Sequence, residues 1–148
     1  MNLSHWIERW ADFQPGKTAI RFEGCDISYA AFNLRTRRVA GMLSRDLNVA
    51  RGDRVAFLGL NSPDMLALMF ACARIGAILV PLNWRLAPPE HLYILQNSGA
   101  KLLFCEDEFA EGTATINAER EGCRVVAMGE EFDRFVAAAP PDALDPAV

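Results

Sequence analysis

Residues Arg51–Asn83 read RGDRVAFLGLNSPDMLALMFACARIGAILVPLN, and the rhythm of that stretch is strand, helix, strand. Arg51-Gly52-Asp53 has turn composition, and Arg54–Leu60 (RVAFLGL) is an almost wholly apolar run of strand length. Asn61-Ser62-Pro63-Asp64 then supplies a helix N-cap, a proline at the first helical position and an acid in the first turn. The helix that follows, Pro63 to about Ile75, is apolar almost all round (MLALMFACA), so cover is expected on both of its sides. Gly76 stops it, and Ala77–Leu82 (AILVPL) forms a second buried strand.

Working outward, the alternation continues downstream. Pro88-Pro89-Glu90 opens a helix that runs to Asn97 and closes at Ser98-Gly99. Lys101–Cys105 (KLLFC) is a third strand, followed by an acidic helix around 106–121, a fourth strand at Arg124–Met128 and a short helix near 130–139. Upstream, Leu3, Trp6, Ile7 and Trp10 recur at helical spacing, and Pro15-Gly16 ends that helix. Thr18–Phe22 and Asp26–Ser28 flank Glu23-Gly24 as a hairpin. Ser28 caps a helix over roughly 29–46, whose buried stripe is Phe32, Thr36, Val39, Leu43 and Leu47. The arginines at 35, 37, 38 and 45 lie mostly off that stripe and read as a solvated face.

Apolar strands alternating with helices predict an α/β fold: a mostly parallel sheet with helices on both faces, preceded by an N-terminal helix and a β-hairpin. Crossovers should be right-handed. Residues 1–139 form the lobe, and 140–148 (PPDALDPAV) read as a linker-like tail.

Composition narrows the function classes. Hydrophobic residues make up 51% and charged residues 23% of the 148, the balance of an ordinary globular protein and not of a disordered one. The longest apolar run, Met65–Ala73, is nine residues, far short of the ~20 needed to cross a bilayer. The first six residues have no basic flank or apolar run, so no secretory signal is expected. Residues 1–100 carry 11 Lys and Arg against 8 acids, whereas residues 101–148 carry 4 against 11. No concentrated basic face is present, which argues against a nucleic-acid partner. Cysteines 25, 72, 105 and 123 contain no close pair, so reduced thiols and a cytoplasmic location are expected.

The residues themselves show a scaffold without an active site. Neither G-x-x-x-x-G-K-[ST] nor G-x-G-x-x-G occurs among the ten glycines. An anion could sit at the amide end of the helix capped by Ser62, although a well-capped core helix is the simpler reading. His5 and His91 are far apart and the cysteines scattered, so no metal site is expected. Cys72, in the most apolar helix, and Cys105, at the end of a buried strand, read as inert thiols. Glu106-Asp107-Glu108 sits at a strand-to-helix turn and reads as capping and solvation rather than paired catalytic carboxylates.

Several segments resemble the beginning of the adenylate-forming enzymes, the AMP-binding or acyl-CoA synthetase superfamily. Ile27–Phe32 (ISYAAF) looks like that family's first core motif, and Gly52-Asp53-Arg54-Val55 like the turn into its first long strand. Ala71–Asn83 (ACARIGAILVPLN) is similar to the second core motif and continues through Glu90–Phe104 (EHLYILQNSGAKLLF). The likeness covers roughly residues 3–135, and Val80-Pro81-Leu82-Asn83-x-Arg85-Leu86 leans towards acyl- and aryl-CoA synthetases. Two positions depart from the pattern: Ala31, where relatives often carry glutamate, and His91, where an apolar residue such as leucine is usual.

The resemblance implies the N-terminal lobe of an ATP-dependent acyl-CoA synthetase, an acid–thiol ligase. Such an enzyme adenylates a fatty or aryl carboxylic acid and then passes the acyl group to CoA, using ATP, Mg²⁺ and CoA. The family's Ser/Thr/Gly-rich loop ending in lysine, its aromatic-Gly-x-Thr-Glu segment, its ribose-binding aspartate and its C-terminal lysine have no counterpart among these residues. No catalytic residue is therefore assigned, tight cofactor binding by the lobe is not expected, and the lobe is not expected to be active alone. One position carries over by resemblance: the arginine of P-x-N-x-R, Arg85 here, approaches a CoA phosphate in some relatives, and its planar fork of donors suits phosphate oxygens. The alternative is that Arg85 pairs with an acid or faces solvent. Asn83 and Trp84 share its loop as neighbours. A lobe of this kind leaves apolar faces uncovered, so self-association is expected. A stand-alone, non-catalytic binding or interaction module built on the same lobe is the alternative function.

Overall fold

The computed structural model describes residues 3–116 and 122–140. Four strands form one parallel sheet: β3 (Arg54–Leu58), β4 (Ile78–Leu82), β5 (Leu102–Cys105) and β6 (Arg124–Ala127), in the spatial order β4-β3-β5-β6. The register places Phe57 between Pro81 of β4 and Phe104 of β5. Proline has no N–H to give the ladder and is tolerated on an edge strand such as β4. The hairpin of β1 (Thr18–Phe22) and β2 (Cys25–Ser28) is separate and antiparallel. Glu23 and Gly24 turn it with positive φ, +48° and +79°, the conformation a tight two-residue connection demands.

Helices cover both faces of the sheet. On one face Val55, Phe57, Leu102, Phe104 and Val126 pack into a continuous core with α2 (Tyr29–Gly41), α3 (Pro63–Ile75) and α6 (Glu130–Ala138). On the other, Ala56, Leu58, Leu103 and Cys105 meet Leu95 of α4 (Pro88–Ser98), together with Ala100 and Cys123, in a smaller cluster. Successive residues of β3 and β5 alternate between these cores, as the period of a strand requires. The amphipathic α1 (Ser4–Phe13) docks against α2 and α3. Its Glu8 pairs with the buried Arg74 of α3. No residue of α3 is exposed, in accord with its nearly continuous apolar surface.

Most element boundaries fall where the sequence places them. The helix expected over 29–46 ends differently: from Met42 to Asp46 it widens into a π-turn, with the Leu47 N–H bonding to the Met42 carbonyl at 3.1 Å. The wider turn brings Met42 into the core beside Leu43 and Leu47. β3 stops at Leu58, two residues early. A Cβ on Gly59 would lie 2.5 Å from Cδ of Glu106, so a larger residue there would have to displace the Glu106 side chain. The acidic helix begins with a 3₁₀ turn, Asp107–Phe109, before α5 (Ala110–Ile116). Residues 117–121, where that helix was expected to end, and 141–148, most of the expected tail, lie outside the described residues.

Candidate functional site at the carboxyl end of the sheet

Open α/β sheets bind ligands beyond the carboxyl ends of their strands, where the strand order reverses. Here the reversal lies between β3 and β5, because β4 follows β3 on one side and β5 returns on the other. That crevice is filled from within. The Glu106 carboxylate lies over Gly59, and its Oε2 accepts the Leu60 N–H at 2.9 Å. Glu106 therefore satisfies a strand-exit amide, and the acidic cluster is structural at this residue, as its place in the sequence implied.

The neighbouring exit, from β4, is open and built from the residues singled out in the sequence. Asn83, Trp84 and Arg85 are all exposed, and they occupy one short loop between Leu82 and Pro88. Asn83 Oδ1 accepts the Arg85 N–H at 3.1 Å, a local turn that asparagine favours. The Asn83 carbonyl accepts the Leu86 N–H at 3.1 Å. The Arg85 guanidinium lies 4.7 Å over the Trp84 ring, near enough for cation–π attraction. The ring centroid of Phe109 is 6.2 Å from that of Trp84. Trp84, Leu86, His91, Glu108 and Phe109 line a cavity of about 360 Å³ beside the loop. Among the described residues no acid pairs with Arg85, so its fork stays available on the aromatic ring. Phe109 could not be placed here from sequence, because it lies in a stretch whose composition signals only acidity.

His91 is 5% exposed. Its Nε2 lies 2.8 Å from the Asn83 carbonyl. A carbonyl can only accept, so Nε2 carries the proton and donates. The ring is a buried histidine whose polar edge is paired to the backbone of the β4 exit loop.

Other candidates resolve into structure. Ser62 Oγ accepts the Met65 N–H at 3.2 Å, and Asp64 in the same turn pairs with Arg35 at 2.5 Å. The amide end of α3 is thus capped and already faces a carboxylate. Arg35 corrects the solvated-face expectation: half-buried, it bridges Asp64 and Asp133 (2.9 Å) and lies 5.6 Å over Phe132, tying α2 to α3 and α6. Arg37 and Arg38 are half-buried as well, and Arg45 alone of the four is exposed. Burial pushes the Cys72 thiol up to about 12 and those of Cys105 and Cys123 up to about 11, so these thiols stay protonated and unreactive near neutral pH. Lys101 pairs with Asp53 at 2.8 Å, and Lys17 lies 5.1 Å over Trp10. Among the described residues no three of His, Cys, Asp and Glu lie together as a metal site would require, and no helix is long and apolar enough to cross a membrane.

Fold and loop together define an α/β unit with a parallel sheet, whose open β4 exit presents a guanidinium on an aromatic ring. Comparison with known proteins makes the family specific. A model of the AMP-binding enzyme family matches residues 7–145, and the chain belongs to that family. It is 48% identical over 128 residues to indoleacetate–CoA ligase of Aromatoleum aromaticum, a match spanning 86% of this chain and 24% of that one. To a feruloyl-CoA synthase of Amycolatopsis it is 43% identical over 118 residues, 80% of this chain and 24% of the other. Among solved structures, a Mycobacterium tuberculosis fatty acyl CoA synthetase superposes with a TM-score of 0.92 at 27% identity, covering 99% of this chain and 30% of that one. The chain thus spans about a quarter of the length of the curated relatives it matches.

Proposed function

We propose that the chain is the N-terminal lobe of an ATP-dependent acyl- or aryl-CoA synthetase, which activates a carboxylic acid as its adenylate and transfers the acyl group to CoA. The family match and the ligase names of the relatives support that reading. The lobe's contribution, on this account, lies in the CoA half of the reaction. The carrying observation is Arg85, exposed, without an acid partner among the described residues, and stacked on Trp84. Its two-pronged donor set matches the oxygens of a CoA phosphate. Asn83 sets the turn and Trp84 supplies the platform.

Among the described residues, ATP and Mg²⁺ find no comparable fit. Lys101 is paired with Asp53, Lys17 lies over Trp10, and the amide end of α3 faces Asp64. On this account the adenylation step belongs to other parts of the ligase, and the lobe is inactive alone. In the full-length ligase, Arg85→Ala should raise KM for CoA about tenfold, the loss of one charge-assisted contact. Steady-state kinetics with CoA as the varied substrate read this directly. An unchanged KM would remove the phosphate role.

A further inference from the structure

The loop that carries Arg85 is held at both ends by the first turn of α4. At its far end the Glu90 carboxylate accepts the Ala87 N–H at 2.8 Å. At its near end His91 reaches the Asn83 carbonyl at 2.8 Å. Burying an imidazole costs free energy unless its polar atoms are paired, and the pairing bond of His91 runs out of its own helix and into the loop. The Asn83 carbonyl also receives the Leu86 N–H, so both of its lone pairs are used. Trp84 and Arg85 are exposed, yet the backbone on either side of them is tethered. Such pre-organisation lowers the ordering cost that binding would otherwise have to meet.

We infer that His91 is a positioning residue for the CoA-phosphate contact: by donating from Nε2 to the Asn83 carbonyl, it keeps the β4 exit loop in the turn that holds Arg85 on Trp84. The inference rests on the reading of Arg85 above. It assigns His91 no contact with substrate and no proton transfer. A leucine at this position would fill similar volume and leave the carbonyl with the Leu86 N–H alone. A glutamine would restore a donor at a similar reach, through its own Nε2.

The test uses the full-length ligase and four variants: His91→Leu, His91→Gln, Arg85→Ala and the double variant Arg85→Ala/His91→Leu. His91→Leu should raise KM for CoA about threefold to tenfold relative to KM for ATP, and His91→Gln should recover most of that loss. In the Arg85→Ala background, His91→Leu should add little, because its effect passes through Arg85. Equal effects on CoA and ATP, or full additivity in the double variant, would overturn the positioning role while leaving Arg85 intact. An unchanged KM for CoA in Arg85→Ala would overturn both readings, and that arm alone identifies the failure as Arg85's. Independently of CoA, ¹⁵N spectra of the 148-residue chain should show the His91 ring protonated at Nε2. A ring protonated only at Nδ1 would remove the bond on which the inference stands.

Discussion

The two faces of the sheet are built to different depths. The face covered by α2, α3 and α6 has a continuous core, with Phe104 edge-on to Phe132 at 5.7 Å and Arg35 fastening its helices to one another. The α4 face has a small cluster around Leu95 and Leu103, and beside it opens the cavity lined by Trp84, His91 and Phe109. One layer secures the fold, and the thinner one leaves room for the loop that presents Arg85. Division of this kind is expected where binding segments come from the less stable part of a structure.

The sharpest way to break the comparison is to cut into both layers. Phe104→Ala removes a ring from the thick core and should destabilise by about 3–5 kcal/mol, whereas Leu95→Ala on the thin face should fall near the lower end of about 2–5 kcal/mol. Urea unfolding of both variants measures the difference, and equal losses would show that the faces are energetically alike.

The cysteines sharpen the same contrast without mutation. Cys25 is exposed, Cys72 lies in the thick core, and Cys105 and Cys123 lie in the thin cluster. Thiol labelling at pH 8 should modify Cys25 alone in the native protein. As urea is raised below the unfolding midpoint, Cys105 and Cys123 should react before Cys72. Mass spectrometry of the labelled peptides gives the order, and Cys72 reacting first would reverse the account.

The smallest expected effect lies on the thick face. Ser28 Oγ accepts the Ala31 N–H at 3.2 Å, half of a capping box whose other half needs a glutamate or glutamine at position 31. Ala31→Glu should therefore stabilise by about 0.5–1 kcal/mol, measured as a higher urea midpoint. No gain would mean that the first turn of α2 is limited by something other than its cap.

What could be read in the sequence was local. Apolar runs of strand length, the Ser62-Pro63 start of α3 and the glycines that end helices at positive φ, Gly76 at +73° and Gly99 at +62°, all act within a few residues. They were enough to place the strands, their parallel pairing and the helices on both faces. The loop of Asn83, Trp84 and Arg85 was also marked, but only through family likeness, since nothing in its own composition points to a phosphate. Contacts that join distant residues were not legible. Arg35 and Asp133 are separated by 98 positions, and periodicity on α2 alone made that arginine look solvated. Phe109 beside Trp84 depends likewise on where two strands end together. The bond from His91 to Asn83 spans only eight positions, but it depends on how α4 turns back over the strand exit.

The central claim is that this lobe supplies scaffold and a CoA-facing loop while the adenylation chemistry belongs to other parts of a ligase. Acid-dependent ATP–pyrophosphate exchange by the purified 148-residue chain tests it most directly, with aryl and fatty acids as candidate substrates. The account predicts exchange no greater than a protein-free control. Acid-dependent exchange that scales with the amount of chain would contradict it.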